Sequence, residues 1–132
     1  MLKTLMNTRV IDVGYLGMSQ YIACCLLEGE GPAIVDPGPT VSLGKLEEGL
    51  QQVGLSLDDL SSILLTHIHL DHAGATGTIV KRNPRIKVYV HEKGVSHMID
   101  PERLLVSVAR LYGAHRMDEL FGDFLPVPKE NI

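Results

Sequence analysis

The stretch Thr66-His67-Ile68-His69-Leu70-Asp71-His72 sets the reading of the whole 132-residue chain. Three histidines and an aspartate fall within six residues. In a chain of this composition such spacing arises by chance on the order of once in a thousand cases. The run is therefore read as a ligand cluster rather than a histidine-rich surface loop. In extended backbone, residues two apart point the same way, so His67 and His69 can bring both imidazoles to one point. Their ring nitrogens suit zinc or iron. Where the chain turns toward the next helix, Asp71 and His72 swing aside and can serve a neighbouring ion. Four ligand-type side chains beside a buried strand are costly to hold without a partner.

The surroundings fit a site of this kind. Ile63-Leu64-Leu65 is a short continuous apolar run, as expected of a strand buried on both faces. The motif thus sits where a strand ends and a helix begins, which is where open α/β sheets place their sites. Ala73-Gly74-Ala75 are small enough for the backbone to pass close to metals. Residues 74–81 are predicted to form a short helix ended by Asn83-Pro84. Ile86, Val88 and Val90 alternate with Lys87 and Tyr89, the pattern of a one-sided strand.

Upstream, residues 9–15 and 20–27 read as strands, with Gly14, Gly17 and Ser19 marking the turn between them. A second turn, Gly29-Glu30-Gly31-Pro32, leads into the short strand Ala33-Ile34-Val35. Asp36-Pro37-Gly38-Pro39 stops it, because proline cannot donate to a ladder. Leu43, Leu46, Leu50 and Val53 recur at helical spacing, and Gly54 suits the left-handed position after the last turn. Downstream, Asp100-Pro101 reads as an N-cap and a first-turn proline. Leu104, Leu105, Val108, Leu111 and Tyr112 then form one face of an amphipathic helix. Residues 117–121 add a further helical turn. The order of elements is that of an α/β or α+β chain.

Bulk properties narrow the function classes. Apolar residues make up 45% and charged residues 21%, as in soluble globular proteins. The net charge of −4 and a pI near 5.8 argue against a nucleic-acid surface. Mean hydropathy is slightly positive, at +0.12, yet no segment is long enough to cross a bilayer. Met1 to Met6 contain no apolar stretch of signal-peptide length, so a cytoplasmic location is expected. The two cysteines, Cys24 and Cys25, are adjacent in a strand and point to opposite faces, so they read as two small apolar side chains rather than a disulfide or a zinc site.

The pattern T-H-x-H-x-D-H-x-G from Thr66 to Gly74 resembles the signature of the metallo-β-lactamase superfamily. Val35-Asp36-Pro37-Gly38 lies where that family carries an earlier aspartate, and residues 9–90 read like the first half of its fold. Within the family the chain is most similar to hydroxyacylglutathione hydrolases and related thioester or lactone hydrolases. The resemblance implies an αββα sandwich, of which residues 1–132 are the N-terminal part of a single domain: one sheet with flanking helices. Half a sandwich leaves an inner apolar sheet face exposed, which agrees with the positive hydropathy.

By the same resemblance, His67 and His69 bind a first metal and Asp71 and His72 a second. Asp36 is an outer-sphere carboxylate that orients the loop; from its residues alone it reads equally well as a turn aspartate before Pro37. The two ions are expected to be zinc, with iron and manganese also compatible. A metal-bound hydroxide would attack a thioester, ester or lactone carbonyl, with Asp71 both ligating and orienting that nucleophile. The alternatives are a phosphodiesterase or nuclease with the same loop, and a non-catalytic metal-binding half-fold. The expected partner is a small-molecule substrate, with neither nucleic acid nor membrane. A homodimer, two halves closing the sandwich about a two-fold axis, is a further expectation. The family also implies a histidine in a G-H-[ST]-x-G context, a bridging aspartate and a last histidine, none of which precedes Ile132. His91 and His97, flanking a glycine-containing turn, and His115, at a helix end, are assigned surface or packing roles.

Overall fold

Period-two alternation sends Ile11, Cys24 and Leu26 to one side of a sheet and Val10, Cys25 and Leu27 to the other. The computed structural model describes residues 3, 4 and 7–132; the expectation drawn from Met1, Leu2, Leu5 and Met6 lies outside the described residues. Six strands lie in chain order across one sheet: β1 (Lys3–Thr4), β2 (Thr8–Asp12), β3 (Ala23–Leu27), β4 (Ala33–Val35), β5 (Ser62–Leu64) and β6 (Lys87–Tyr89). The first four are antiparallel neighbours, whereas β4, β5 and β6 run parallel. Parallel neighbours need a crossover, supplied by helix α1 (Leu43–Gln51) between β4 and β5 and by α2 (Leu70–Ala73) and α3 (Thr76–Arg82) between β5 and β6. Helices α4 (Glu92–Ile99), α5 (Glu102–Tyr112) and α6 (Met117–Leu120) follow.

The core lies on one face. Ile11, Cys24, Leu26, Ile34, Ile63 and Val88 are buried there with Leu46 and Leu50 of α1 and Ile79 and Val80 of α3. The opposite face carries Val10, Cys25, Val35, Leu64 and Tyr89 in register across five strands. Val10 and Tyr89 are exposed there, Tyr89 by 58%, and Cys25, Val35 and Leu64 are half-buried. The single sheet with flanking helices and an uncovered apolar face is thus present. It also corrects the reading of β5 as buried on both faces: Ile63 is buried and Leu64 is not fully so. Among the described residues, no helix is long and apolar enough to cross a membrane.

Other boundaries differ from the sequence reading for local reasons. Strand β2 stops at Asp12 rather than at residue 15, because the Asp12 carboxylate accepts hydrogen bonds from Gly14 N–H (2.9 Å) and Gln20 N–H (2.7 Å). That clamp, with Gly14 at a φ of 54°, bends residues 13–20 out of the sheet and puts Tyr15 in a short 3-10 turn. The helix expected over 74–81 is α3, which starts at Thr76, and the separate short helix α2 before it carries Asp71 and His72. The segment around His91 and His97 is helix α4, not a turn. His91 Nδ1 caps it by accepting from Lys93 N–H, and Gly94 lies inside it because a side chain there would meet Ile68 and Val90. The N-cap of α5 is Pro101, one residue later than read, with Asp100 accepting from Glu102 N–H. His115 is exposed in a 3-10 turn.

Two measurements follow from this architecture. Burial pushes the Cys24 thiol to a higher pKa and hides it, while Cys25 faces the open side of the sheet. Native alkylation with iodoacetamide is expected to add one label, at Cys25, and a second only after unfolding, as read by peptide mass spectrometry. The amides of Gln20 and Gly14 hold the Asp12 carboxyl below its ordinary value of 3.8. Its folded form ionises more readily than its unfolded form, so the stabilisation is present above that pH and is lost as pH falls through the lower folded value. The urea midpoint of Asp12→Asn should therefore lie below that of the parent at neutral pH, and the gap should close below about pH 4.

Candidate metal centre

The parallel pairing of β4 with β5 sets Val35 beside Leu64, and both chains leave the sheet at the same end. Asp36 follows the first and Thr66 the second, so the two loops meet at the C-terminal edge of the sheet. Asp36 is only 6% exposed and takes a left-handed φ of 53°, a conformation that aspartate tolerates better than most residues. Its Oδ1 accepts from Thr66 N–H (2.9 Å), and its Oδ2 accepts from the Thr66 hydroxyl (2.6 Å) and lies 3.1 Å from His72 Nδ1. Asp36 thus ends β4 as a turn residue, and its carboxylate bonds Thr66 and His72.

This network fixes how the imidazoles present themselves. The Thr66 hydroxyl has one proton, directed at Asp36, so its contact of 2.8 Å with His67 Nδ1 requires His67 to donate. His72 Nδ1 likewise donates to the carboxylate. With Nδ1 of each ring engaged, Nε2 is the nitrogen that each ring has to offer a metal. The His67 ring centroid is 4.7 Å from that of His69 and 4.2 Å from that of His72. The Asp71 carboxylate lies 3.5 Å from His72 Nε2. A donor atom from each of Asp36, His67 and His72 lies within 4.8 Å of the others, and this is the tight three-residue group among the described residues. His69 and Asp71 lie at its margin, in contact with it but outside that triple. Three imidazoles and two carboxylates on one loop system are a donor set that fits divalent transition metals.

The loop is braced from behind. Gly38 N–H donates to His72 O and Ala75 N–H donates to Gly38 O, each at 2.9 Å. Ala73, Gly74 and Ala75 are all buried. A side chain at Gly74 would strike Leu70 O and the Pro39 backbone, so glycine there lets the 36–40 loop pass. That brace had no sequence signal beyond the run of small residues itself.

Set against known proteins, residues 20–129 match the family model described as the metallo-β-lactamase superfamily. The chain belongs to the metallo-β-lactamase superfamily. Its members are hydrolases that bind divalent metal ions, and this chain carries a metal-binding group. Over 99 residues it is 32% identical to a probable hydroxyacylglutathione hydrolase of Schizosaccharomyces pombe, an alignment covering 72% of this chain and 37% of the relative. A 29-residue segment is 59% identical to an N-acyl homoserine lactonase of Agrobacterium fabrum, covering 22% of this chain and 10% of that protein. Among solved structures, the metallo-β-lactamase BJP-1 of Bradyrhizobium japonicum superposes with a TM-score of 0.63 at 21% identity, covering 74% of this chain and 35% of the other. The metallo-β-lactamase SMB-1 gives 0.61 at 24% identity, covering 71% and 34%. These structural likenesses establish the shared metallo-β-lactamase fold, and this chain spans about a third of the length of such relatives.

The Asp36 network generates a stability test. Replacing Thr66 with valine removes one partner of a buried carboxylate and the acceptor of His67, with a loss of about 1–3 kcal/mol expected. Urea unfolding measures it, and an unchanged midpoint would show that the contact contributes nothing.

Proposed function

We propose that this chain carries the metal loop of a dinuclear hydrolase acting on a thioester, ester or lactone carbonyl. The observation that carries the reading is the Asp36–Thr66–His67 and Asp36–His72 network, which engages Nδ1 of both rings and leaves Nε2 as their ligating nitrogen, with that of His72 3.5 Å from the Asp71 carboxylate and the His67 ring beside His69. His67 and His69 are assigned to one ion, and Asp71 and His72 to the other, with zinc the proposed metal. When bound, such ions supply Lewis acidity and bring the pKa of a water from about 16 toward 7. The chain's own residues do the rest. Thr66 and His72 hold Asp36, and Asp36 in turn fixes the ring planes. Asp71, 3.5 Å from His72 Nε2, is the residue proposed to orient the attacking oxygen.

The acyl-carbonyl class is supported by the relatives, since an acylglutathione hydrolase and a lactonase are both named for acyl substrates. The acidic balance of the chain disfavours a phosphodiester polymer. The donors still needed to complete two coordination shells are proposed to come from a second layer closing on the open sheet face, with a second copy of the chain one source of it. The cytoplasm is the proposed compartment, in keeping with two free cysteines.

Metal per chain, measured by inductively coupled plasma mass spectrometry on purified protein, is expected to be close to two equivalents. One or less overturns the dinuclear reading for this chain. Sedimentation of the same sample reports whether a dimer supplies the second layer. His67→Ala and Asp71→Ala should each lower thioester hydrolysis by at least about a hundredfold, because even outer-sphere partners of a metal contribute 10–100-fold. Undiminished hydrolysis in either variant, or faster cleavage of a phosphodiester, would reject the assignment.

A further inference from the structure

Helix α5 has the apolar periodicity of a core helix, yet none of its residues is buried. Leu111 is 80% exposed, and Tyr112 and Val106 about half. Only part of its apolar face packs on the core, through the half-buried Leu104, Leu105 and Val108, so the helix forgoes some of the burial that ordinarily stabilises it. The face is not randomly placed, however. With Tyr15, Tyr21 and Ile22 from the strand-joining segment opposite, and Leu120 and Phe121 beyond, it encloses a cavity of about 670 Å³ that opens to solvent. That volume is within the ordinary range for a small-molecule site, roughly 300–1,000 Å³. His69, Leu70 and Asp71 form part of its wall, so the cavity begins where the metal loop ends.

Its chemistry is lopsided. Among the described residues lining it, the ionisable groups are His69, Asp71 and three tyrosines, with no lysine or arginine. Arg116 acts electrostatically on Tyr15 from outside the lining. Tyr15 donates its hydroxyl to Leu120 O at 2.7 Å, tying the two rims together, and Tyr112 packs edge-on against Phe121 with 5.5 Å between centroids. His69 and Asp71 stand at the metal-loop end, and the remainder is aliphatic and aromatic apart from Ser107 of α5 and the tyrosine hydroxyls. A tripeptide-like group bearing several carboxylates would find no cationic partner there, whereas an uncharged hydrocarbon tail would cover the apolar face of α5.

Resting on the acyl-carbonyl reading above, we infer that this cavity is the acyl subsite and that the substrate carries a neutral aliphatic chain of medium length. The scissile carbonyl lies at His69 and Asp71, and the tail runs along Leu104, Val108 and Leu111. Tyr15 and Tyr112 stand on opposite rims as the aromatic walls.

Three of the four tyrosines line the cavity and the chain has no tryptophan, so intrinsic fluorescence reports directly on it. The probes are acetyl, hexanoyl and decanoyl thioesters of N-acetylcysteamine, and the same acyl groups on glutathione, titrated into chelator-treated protein so that binding is read without turnover. Affinity for the neutral series should rise by about threefold to fourfold per methylene buried, with glutathione adding nothing. Leu111→Glu, at a solvent-exposed position, should weaken decanoyl binding at least about tenfold and leave acetyl binding unchanged. Val106→Glu, on the same helix but outside the lining, should change neither. Affinity independent of chain length, or tighter binding of the glutathione series, overturns the inference. So does a dimer in sedimentation that Leu111→Glu dissociates, since a second copy would then occupy the face. Loss of hydrolysis as the failing result, with chain-length-dependent binding intact, would instead count against the catalytic reading and leave the subsite standing.

Discussion

The buried carboxylate of Asp36 ties together the ends of two parallel strands, and the metal loop takes its shape from that tie. An ionised group held away from water is tolerated only when its lone pairs are met. Here the Thr66 amide, the Thr66 hydroxyl and the His72 ring meet them. Each of these donors is fixed in turn: the amide by the exit from β5, the hydroxyl by its contact with His67, and the ring by the helical turn of α2. Removing the carboxylate would therefore release both imidazole planes at once, along with the left-handed turn that brings the chain back under the loop. The bracing bonds through Gly38 and the close passage at Gly74 depend on that turn being where it is.

The same dependence explains what the sequence disclosed and what it withheld. The metal loop was legible because ligand types at spacings of two and one have few other uses, and β4, β5 and β6 were legible as short apolar runs bounded by proline, glycine or charge. Boundaries set by side chain–backbone bonds were not. Asp12 halts β2 by accepting amides two and eight residues on, a contact that alternation does not encode. Helix α4 was hidden because Gly94 reads as a turn residue, whereas it is small to fit Ile68 and Val90 brought from elsewhere in the chain. The smallness of Ala73-Gly74-Ala75 was visible, but the close backbone of Leu70 and Pro39 at Gly74 was not. The role of Asp36 was left open: a turn aspartate and an orienting aspartate have the same sequence, and the meeting of β4 with β5 shows that its carboxylate bonds Thr66 and His72.

Two apolar surfaces remain uncovered in this chain, and their shapes assign them different tasks. The open sheet face is broad and in register over five strands, with Cys25, Val35 and Leu64 half-buried between Val10 and Tyr89. A surface of that kind is matched by another layer of secondary structure, as sheets generally are. The face of α5 joins the segment around Tyr15 and Tyr21 in enclosing a cavity, tied at the rim by Tyr15 and Leu120. Hydrophobicity alone does not separate them. Curvature and the position of the metal loop do.

Asp71 is where these considerations converge. It stands in the first turn of α2, its carboxylate beside His72 Nε2, and it also lines the apolar cavity. Whatever group binds in the cavity is thereby brought within reach of the ligand cluster, and whatever the cluster activates is delivered at the polar end of an otherwise apolar space. Water excluded by a filled tail region would strengthen each electrostatic contact at that end. The register of β4 against β5 sets Asp36, Asp36 sets the loop, and the loop sets Asp71 at the border between the two environments. A shift of one residue in that strand pairing would move the carboxylate of Asp36 to the other face of the sheet. The placement of Asp71 beside His72 and in the cavity wall would then be lost together, which is why a short parallel pair of three residues each can govern a site that lies outside the sheet.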